Sequence, residues 1–293
     1  MASDNRLWHR QLEVGLTAAK KAMATILLIY RKGFSVKIKA DNSPVTDADL
    51  ASNKLIKSIL NKAFPDYAIL SEEDADNPER LNKEWVFIID PLDGTEDFVH
   101  KDNQFCVNIG LVHFHRPVMG IVAIPYTGEI FYAYKDQGAF VVSDTDPTPH
   151  KIHVSDRDDD LIAVTSHFHT TPVEEDIYRT DPKVKGVLKV GSSIKSCLIA
   201  GGKADVAIKL GPGTKEWDTC APQVLVTEAG GFFLTPDWTE RLYDKPDVYN
   251  HDGYSIANKF SNLLSLGIIS KKNLADDRKK AKGLLKRAFG KKR

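Results

Sequence analysis

The stretch EWVFIIDPLDGTEDF, residues 84–98, constrains this chain more than any other. The apolar run from Trp85 to Ile89 reads as a buried strand, and it leads straight into Asp90. A second carboxylate, Asp93, follows across Pro91 and Leu92, and Gly94 and Thr95 come next. A buried charge is costly unless it is paired or holds a metal, so a buried strand that ends on aspartate needs a reason. One reading is a plain link from strand to turn, since Asp, Pro and Gly are common turn residues. A second is an aspartate nucleophile of the D-x-D-G-T kind. Spacing removes it, because the first aspartate of that pattern would have to stand where Pro91 is. The third is a hard-cation site, because magnesium takes carboxylate and carbonyl oxygens. In that reading the strand fixes Asp90, a tight Pro91–Leu92 turn brings Asp93 round, and the same turn exposes the Leu92 carbonyl. Gly94 and Thr95 then open a helical turn whose free N–H groups suit a phosphate. Two cations about 3.5–4 Å apart are a recurring device for displacement at phosphorus.

Such a site needs further carboxylates. YAILSEED (67–74) runs a short apolar segment into Glu72, Glu73 and Asp74, and SPVTDADL (43–50) sets Thr46, Asp47 and Asp49 at a helix start. EWDTCAP (216–222) puts Asp218 at the start of another helix. Each alone reads as a cap or as an acid placed on a helix dipole. Together with the aspartate pair at 90 and 93 they form a set.

Around these motifs the chain alternates helices and strands. Leu12, Leu16, Ala19, Met23, Ile26 and Tyr30 keep helical spacing, with Ser3 or Asp4 to cap the start and Gly33 to close the end. A second helix spans about Asp49 to Ala63 and is stopped by Pro65. Segments 105–112, 118–124, 129–134 and 138–142 read as an antiparallel meander. The polar stretch 143–160 is the best boundary, and beyond it strands and helices alternate again. The expected class is α/β (α+β). Residues 1–150 would form an α+β domain with the metal site, 151–258 an α/β domain completing the substrate site, and 259–293 an extension with a basic tail.

Composition sets limits. The formal net charge is zero, yet residues 271–293 hold eleven Lys and Arg against two Asp, leaving the body near −9. An acidic body argues against binding of a nucleic-acid polymer by the main fold. Cys106, Cys197 and Cys220 are too few and too scattered for a disulfide framework, so reduced thiols in the cytoplasm are expected. The apolar run at 22–30 is about half the length a transmembrane helix needs. His113/His115 and His167/His169 form H-x-H pairs that could put imidazoles on one strand face; with no further zinc ligands evident, solvent-facing alternation is the plainer account. In the tail, Ala281, Leu284, Leu285, Ala288 and Phe289 keep helical spacing among basic residues. Such a segment suits an acidic surface, whether lipid, nucleic acid or the body itself, while a disordered solubilising tail is the simpler reading.

DPLDGT, with an upstream glutamate pair and a downstream WD, resembles the magnesium-dependent, lithium-sensitive phosphatase superfamily. That group includes inositol monophosphatases, fructose-1,6-bisphosphatases, inositol polyphosphate 1-phosphatases and 3'(2'),5'-bisphosphate nucleotidases. KADNSPVT (39–46), LSEED (70–74), GSSIKSCLIAGGKADV (191–206) and LGPGTKEWDT (210–219) are most similar to the bacterial nucleotidases of sulfate assimilation. The resemblance implies a layered αβαβα sandwich of the sugar-phosphatase type. It implies hydrolysis of a small phosphate ester, adenosine 3',5'-bisphosphate or its 2',5' isomer, by water activated on magnesium. Inositol or sugar phosphates are the alternative, and a silent phosphometabolite sensor is the alternative outside catalysis.

The same resemblance distributes the roles. Glu72, Asp90 and the Leu92 carbonyl would hold one magnesium, Asp90, Asp93 and Asp218 a second, and Glu72 would help a weakly held third. Asp49 and Thr95 would orient and deprotonate the water, and the Gly94 and Thr95 backbone would seat the phosphate. Ser192 and Lys195 match positions that contact ribose and the second phosphate, and His169 matches one that packs on adenine. Lys209 stands where the nucleotidases often carry arginine, and it keeps the charge without the bidentate fork. Monomer and homodimer both stay open.

Overall fold

The apolar residues at helical spacing near the start do form a buried stripe. It belongs to α1 (His9–Lys32), which closes at Gly33 with φ 99° and its N–H on the Ile29 carbonyl. The structure, a computed structural model, describes residues 8–264. The expected cap at Ser3 or Asp4 and the basic tail lie outside them. A hairpin of β1 (Val36–Ile38) and β2 (Pro44–Thr46) leads into α2 (Asp47–Ala63). That helix starts two residues before the expected Asp49, because Thr46 caps it and Asp49 closes a reciprocal capping box.

The first sheet has seven strands in chain order. β3 (Ala68–Ser71) pairs in parallel with β4 (Trp85–Asp93), and the short α3 (Thr95–His100) follows. The expected meander is β5 (Cys106–His113), β6 (Arg116–Ile124), β7 (Glu129–Tyr134) and β8 (Gly138–Ser143), all antiparallel. β9 (His150–Ile152), inside the polar stretch read as a boundary, adds to its far edge.

The second half supplies β10 (Leu161–Thr165), α4 (Pro172–Thr180), β11 (Val184–Lys189), α5 (Ile194–Ala200) and β12 (Val206–Leu210). Then come β13 (Thr214–Lys215), α6 (Glu216–Glu228), β14 (Phe232–Leu234), β15 (Tyr249–Asn250) and β16 (Gly253–Ala257). β13 and β15 pair with each other, while the five-stranded second sheet runs β11-β10-β12-β16-β14. Among the described residues no helix is long and apolar enough to cross a membrane.

Strand alternation fixes the layers. Phe87, Ile89, Val107, Ile109 and Ile121 face Ala19, Met23, Ile26 and Ile56 of α1 and α2. From the opposite face Val122, Phe131 and Ala133 meet Cys197 and Ile199 of α5, Val224 and Leu225 of α6, and Val164, Ala207 and Ile256 of the second sheet. Tyr178 of α4 covers the outer side of that sheet with Leu161, Ala163 and Val206. Helices, sheet, helices, sheet and helix therefore stack as the αβαβα sandwich the resemblance implied.

Two glycines let α6 lie directly on the first sheet. A Cβ on Gly110 would stand 2.5 Å from Cys220 Sγ, and one on Gly120 would fall on the Ala221 carbonyl oxygen. Because α6 carries Asp218, this approach also sets the site. Gly120→Ala should force the helix outward and destabilise the protein by about 1–3 kcal/mol. Thermal unfolding should register that as a Tm drop of about 2–10 °C, and an unchanged Tm would mean the approach is not tight.

Candidate active site

β4 does not end at Asp90. Asp90 lies opposite Asn108 and Asp93 opposite Cys106, so three steps on β4 match two on β5. In a regular strand, residues three apart point to opposite faces. The extra residue is a bulge, and it turns Asp93 back to the face of Asp90. The expected tight turn at Pro91–Leu92 is thus a bulge in a continuing strand. Proline fits because an unpaired residue needs no ladder N–H. Ser52 Oγ donates to the Pro91 carbonyl at 2.8 Å, and the Leu92 N–H donates to Asp90 Oδ1 at 3.1 Å.

Asp218 comes from the first turn of α6, where its Oδ2 accepts the Lys215 N–H at 2.6 Å. Pro222, inside α6, has no N–H for the Asp218 carbonyl one turn back, and Ser193 Oγ lies 3.3 Å from that carbonyl instead. Carboxylate oxygens of Asp90, Asp93 and Asp218 lie within 4.8 Å of one another. Burial drives the Asp90 carboxyl well above its ordinary value, and the charges of Glu72, Asp93 and Asp218 raise it further. Asp218 is pushed up to about 8 by burial, then by Asp93 and Glu72. Three carboxyls this close, Asp90 buried and Asp93 and Asp218 half-buried, repel one another when ionised, and a cation between them offsets that repulsion. An all-oxygen set held at a strand end and a helix start fits a hard divalent ion.

This carboxylate strain has a stability signature. Between its unfolded and folded pKa values a raised carboxyl is protonated in the folded chain and ionised in the unfolded one, so stability falls as pH rises. For Asp218 that window runs from the ordinary 3.8 to about 8. Metal-free protein should therefore melt lower at pH 8 than at pH 5. Magnesium at about a hundredfold over its Kd should raise Tm by about 5–10 °C at pH 8, and by less at pH 5. A melting temperature that climbs with pH in chelator would contradict the crowding.

Glu72 stands outside the close trio. Its Oε1 is 3.2 Å from Lys39 Nζ, which also reaches Glu73 Oε1 at 2.6 Å from the loop between β1 and β2. Burial, with the Glu72 charge beside it, lifts Glu73 to about 7 despite the opposing pull of Lys39.

Thr95 and Asp49 meet through their side chains. Thr95 Oγ1 lies 3.0 Å from Asp49 Oδ1 and 3.1 Å from the Leu92 carbonyl. The other Asp49 oxygen accepts the Thr46 N–H at 2.8 Å and the Thr46 hydroxyl at 2.5 Å. Asp49 is 1% exposed, and burial raises its carboxyl above the ordinary range. Gly94 caps α3 in the left-handed region at φ 87°, where a Cβ would come within 2.9 Å of the Gln104 carbonyl and 3.1 Å of Ser192.

The residues expected on the substrate side are more scattered. Ser192 takes φ 52° beside Gly94. Lys195 Nζ donates to the Ser192 carbonyl at 2.5 Å, and burial lowers its ammonium below the ordinary value. His169 is largely exposed, with Nε2 3.1 Å from Glu96 on α3. Lys209 donates to the His169 carbonyl at 3.0 Å. The H-x-H pairs do not alternate along strands, because β5 ends at His113 and β10 at Thr165. His113 stacks on Trp85 at 3.9 Å, His115 turns away at φ 63°, and His167 Nδ1 lies 3.4 Å from Asp97.

Residues 8–267 match the inositol monophosphatase family. The chain belongs to the inositol monophosphatase family. One relative, named 3'(2'),5'-bisphosphate nucleotidase CysQ, from Buchnera aphidicola, is 33% identical over 239 residues, covering 80% of this chain and 87% of that protein. The protein of the same name from Haemophilus influenzae is 35% identical over 221 residues, covering 75% of this chain and 82% of its own. Among solved structures, CysQ from Bacteroides thetaiotaomicron superposes with a TM-score of 0.74 at 32% identity, covering 87% of this chain and all of that one.

In this inositol monophosphatase-family chain, sequence reasoning passed over the groups that aim Asp93. Its Oδ2 accepts the Ser193 N–H at 2.6 Å, the Ser193 hydroxyl at 2.5 Å and Asn108 Nδ2 at 3.1 Å. Asn108 was detectable: an amide inside the apolar run FCVNIGLV has to be satisfied, and it is fully buried here. Ser193 was not, because only the positive φ at Ser192 decides which serine faces the carboxylates.

Proposed function

We propose that this family member is a magnesium-dependent 3'(2'),5'-bisphosphate nucleotidase, releasing phosphate from adenosine 3',5'-bisphosphate or its 2',5' isomer to leave AMP. The observation that carries the chemistry is the close trio of Asp90, which is buried, with half-buried Asp93 and Asp218, beside the Thr95–Asp49 hydrogen bond. The choice of substrate rests on the nucleotidases it resembles at 33–35% identity.

Asp90, Asp93, Asp218, Glu72 and the Leu92 carbonyl would hold two magnesium ions, with Glu72 helping a third. When bound, such ions supply Lewis acidity toward a phosphoryl oxygen and toward water. The chain's own groups do the rest. Thr95 Oγ1 receives the proton of the attacking water and passes its own to Asp49 Oδ1, a carboxylate that burial makes more basic. The Gly94 and Thr95 N–H groups, at the start of α3, take the phosphate oxygens. Ser192, Lys195 and His169, from the second half of the chain, line the nucleoside side. In this account the first 150 residues bring the carboxylates that stand on the first sheet and α2, and the later ones close the pocket with Asp218 and the nucleoside contacts. A cytoplasmic, lithium-sensitive enzyme of sulfur assimilation follows from the same reading, in keeping with three free, buried cysteines.

The test is phosphate release from adenosine 3',5'-bisphosphate by purified protein. Activity should appear with magnesium, vanish in chelator and return when magnesium is restored. Full activity in chelator would remove the metal from the account.

A further inference from the structure

The resemblance puts Lys209 where the nucleotidases often carry an arginine that would face a substrate phosphate, but its surroundings suit a different task. Its Nζ donates to the His169 carbonyl at 3.0 Å and lies 3.5 Å from Glu174 Oε1, with the side chain only 14% exposed. Glu174 is 1% exposed and already committed: Oε1 accepts the Leu210 N–H at 2.7 Å and Oε2 the Thr171 N–H at 2.8 Å. This carboxylate ties the start of α4 to β12, and among the described residues no other cation pairs with it. Swinging the ammonium out to a phosphate would leave a buried carboxylate without its counter-charge.

The carbonyl that Lys209 grips belongs to a bend between β10 and α4. The bend is closed by the Thr165 and Thr170 hydroxyls at 2.7 Å and by Thr170 Oγ1 donating to the Ser166 carbonyl at 2.6 Å. On its other side His169 Nε2 lies 3.1 Å from Glu96 Oε2, in the first turn of α3. The bend therefore spans from β12 to the helix whose start seats the phosphate, with its backbone held at one end and its imidazole exposed at the other.

The geometry points to Lys209 as a positioning residue, which sets His169 through that residue's carbonyl and does not itself grip the second phosphate. The effect on catalysis rests on the nucleotidase reading; the structural part does not. The test compares Lys209→Met with wild type on adenosine 3',5'-bisphosphate and adenosine 3'-monophosphate, which differ only in the second phosphate. KM should rise by the same factor for both, about tenfold for one lost charged hydrogen bond, with the change falling on KM rather than kcat. Lys209→Arg should restore most of it, and in a His169→Ala background the effect should disappear. A KM rise confined to the bisphosphate, or one that persists without His169, would make Lys209 a direct phosphate ligand.

A second readout needs no substrate. The His169 ring resonances in a ¹H–¹⁵N spectrum should move in Lys209→Met and return in Lys209→Arg, and unmoved resonances would overturn the proposal. If wild type hydrolyses neither nucleotide while those resonances move, the nucleotidase reading fails and the positioning role stands.

Discussion

Asp93→Asn should abolish turnover and at the same time raise the melting temperature of the metal-free protein. The two effects have one cause. Asp93 adds its charge to the burial that lifts both Asp90 and Asp218, so neutralising it relieves the other two carboxyls. The amide oxygen of asparagine can still accept from Ser193 and Asn108, which keeps the local structure. Losing one ligand of a two-ion centre removes several kcal/mol of transition-state stabilisation, so kcat/KM should fall by about a thousandfold or more. A residue that serves only the fold would behave the opposite way, losing stability and keeping activity. Near-normal activity with magnesium, or a lower Tm in chelator, would count against the carboxylate centre.

Thr95→Ala is the second large effect. It removes the hydroxyl that lies 3.0 Å from Asp49 while leaving the start of α3, which Gly94 sets, unchanged. If the hydroxyl carries a proton from water to Asp49, kcat should drop by about 10²–10⁴ with little change in KM. Thr95→Ser keeps the hydroxyl and should recover most of the rate. Asp49→Asn is a poorer probe, because the same carboxylate closes the cap on α2 through Thr46. Equal rates for Thr95→Ala and wild type would leave the water without a base.

Much of this site was readable because it is built from local signals. An apolar run into Asp90, acids at helix starts and the order of strands and helices are all properties of short windows, and the structure keeps them. The bulge at Pro91–Leu92 was not readable in that way. Whether D-x-x-D turns or continues depends on β5 lying opposite, with Asn108 and Cys106 taking up the register. Lys39 was equally hidden, since nothing periodic marks a lysine in a hairpin loop that reaches Glu72 and Glu73. The H-x-H spacing is misleading for a related reason, since it implies alternation past the points where β5 and β10 end. Short strands such as β9, β13 and β15 carry too few residues to show a period.

The most direct measurement is kcat/KM for phosphate release with magnesium, run side by side on adenosine 3',5'-bisphosphate, inositol 1-phosphate and fructose 1,6-bisphosphate. The account predicts a clear preference for the nucleotide, with lithium lowering the rate. Preference for inositol or sugar phosphate would keep the carboxylate chemistry and contradict the nucleotidase assignment, and no release from any of the three would contradict both.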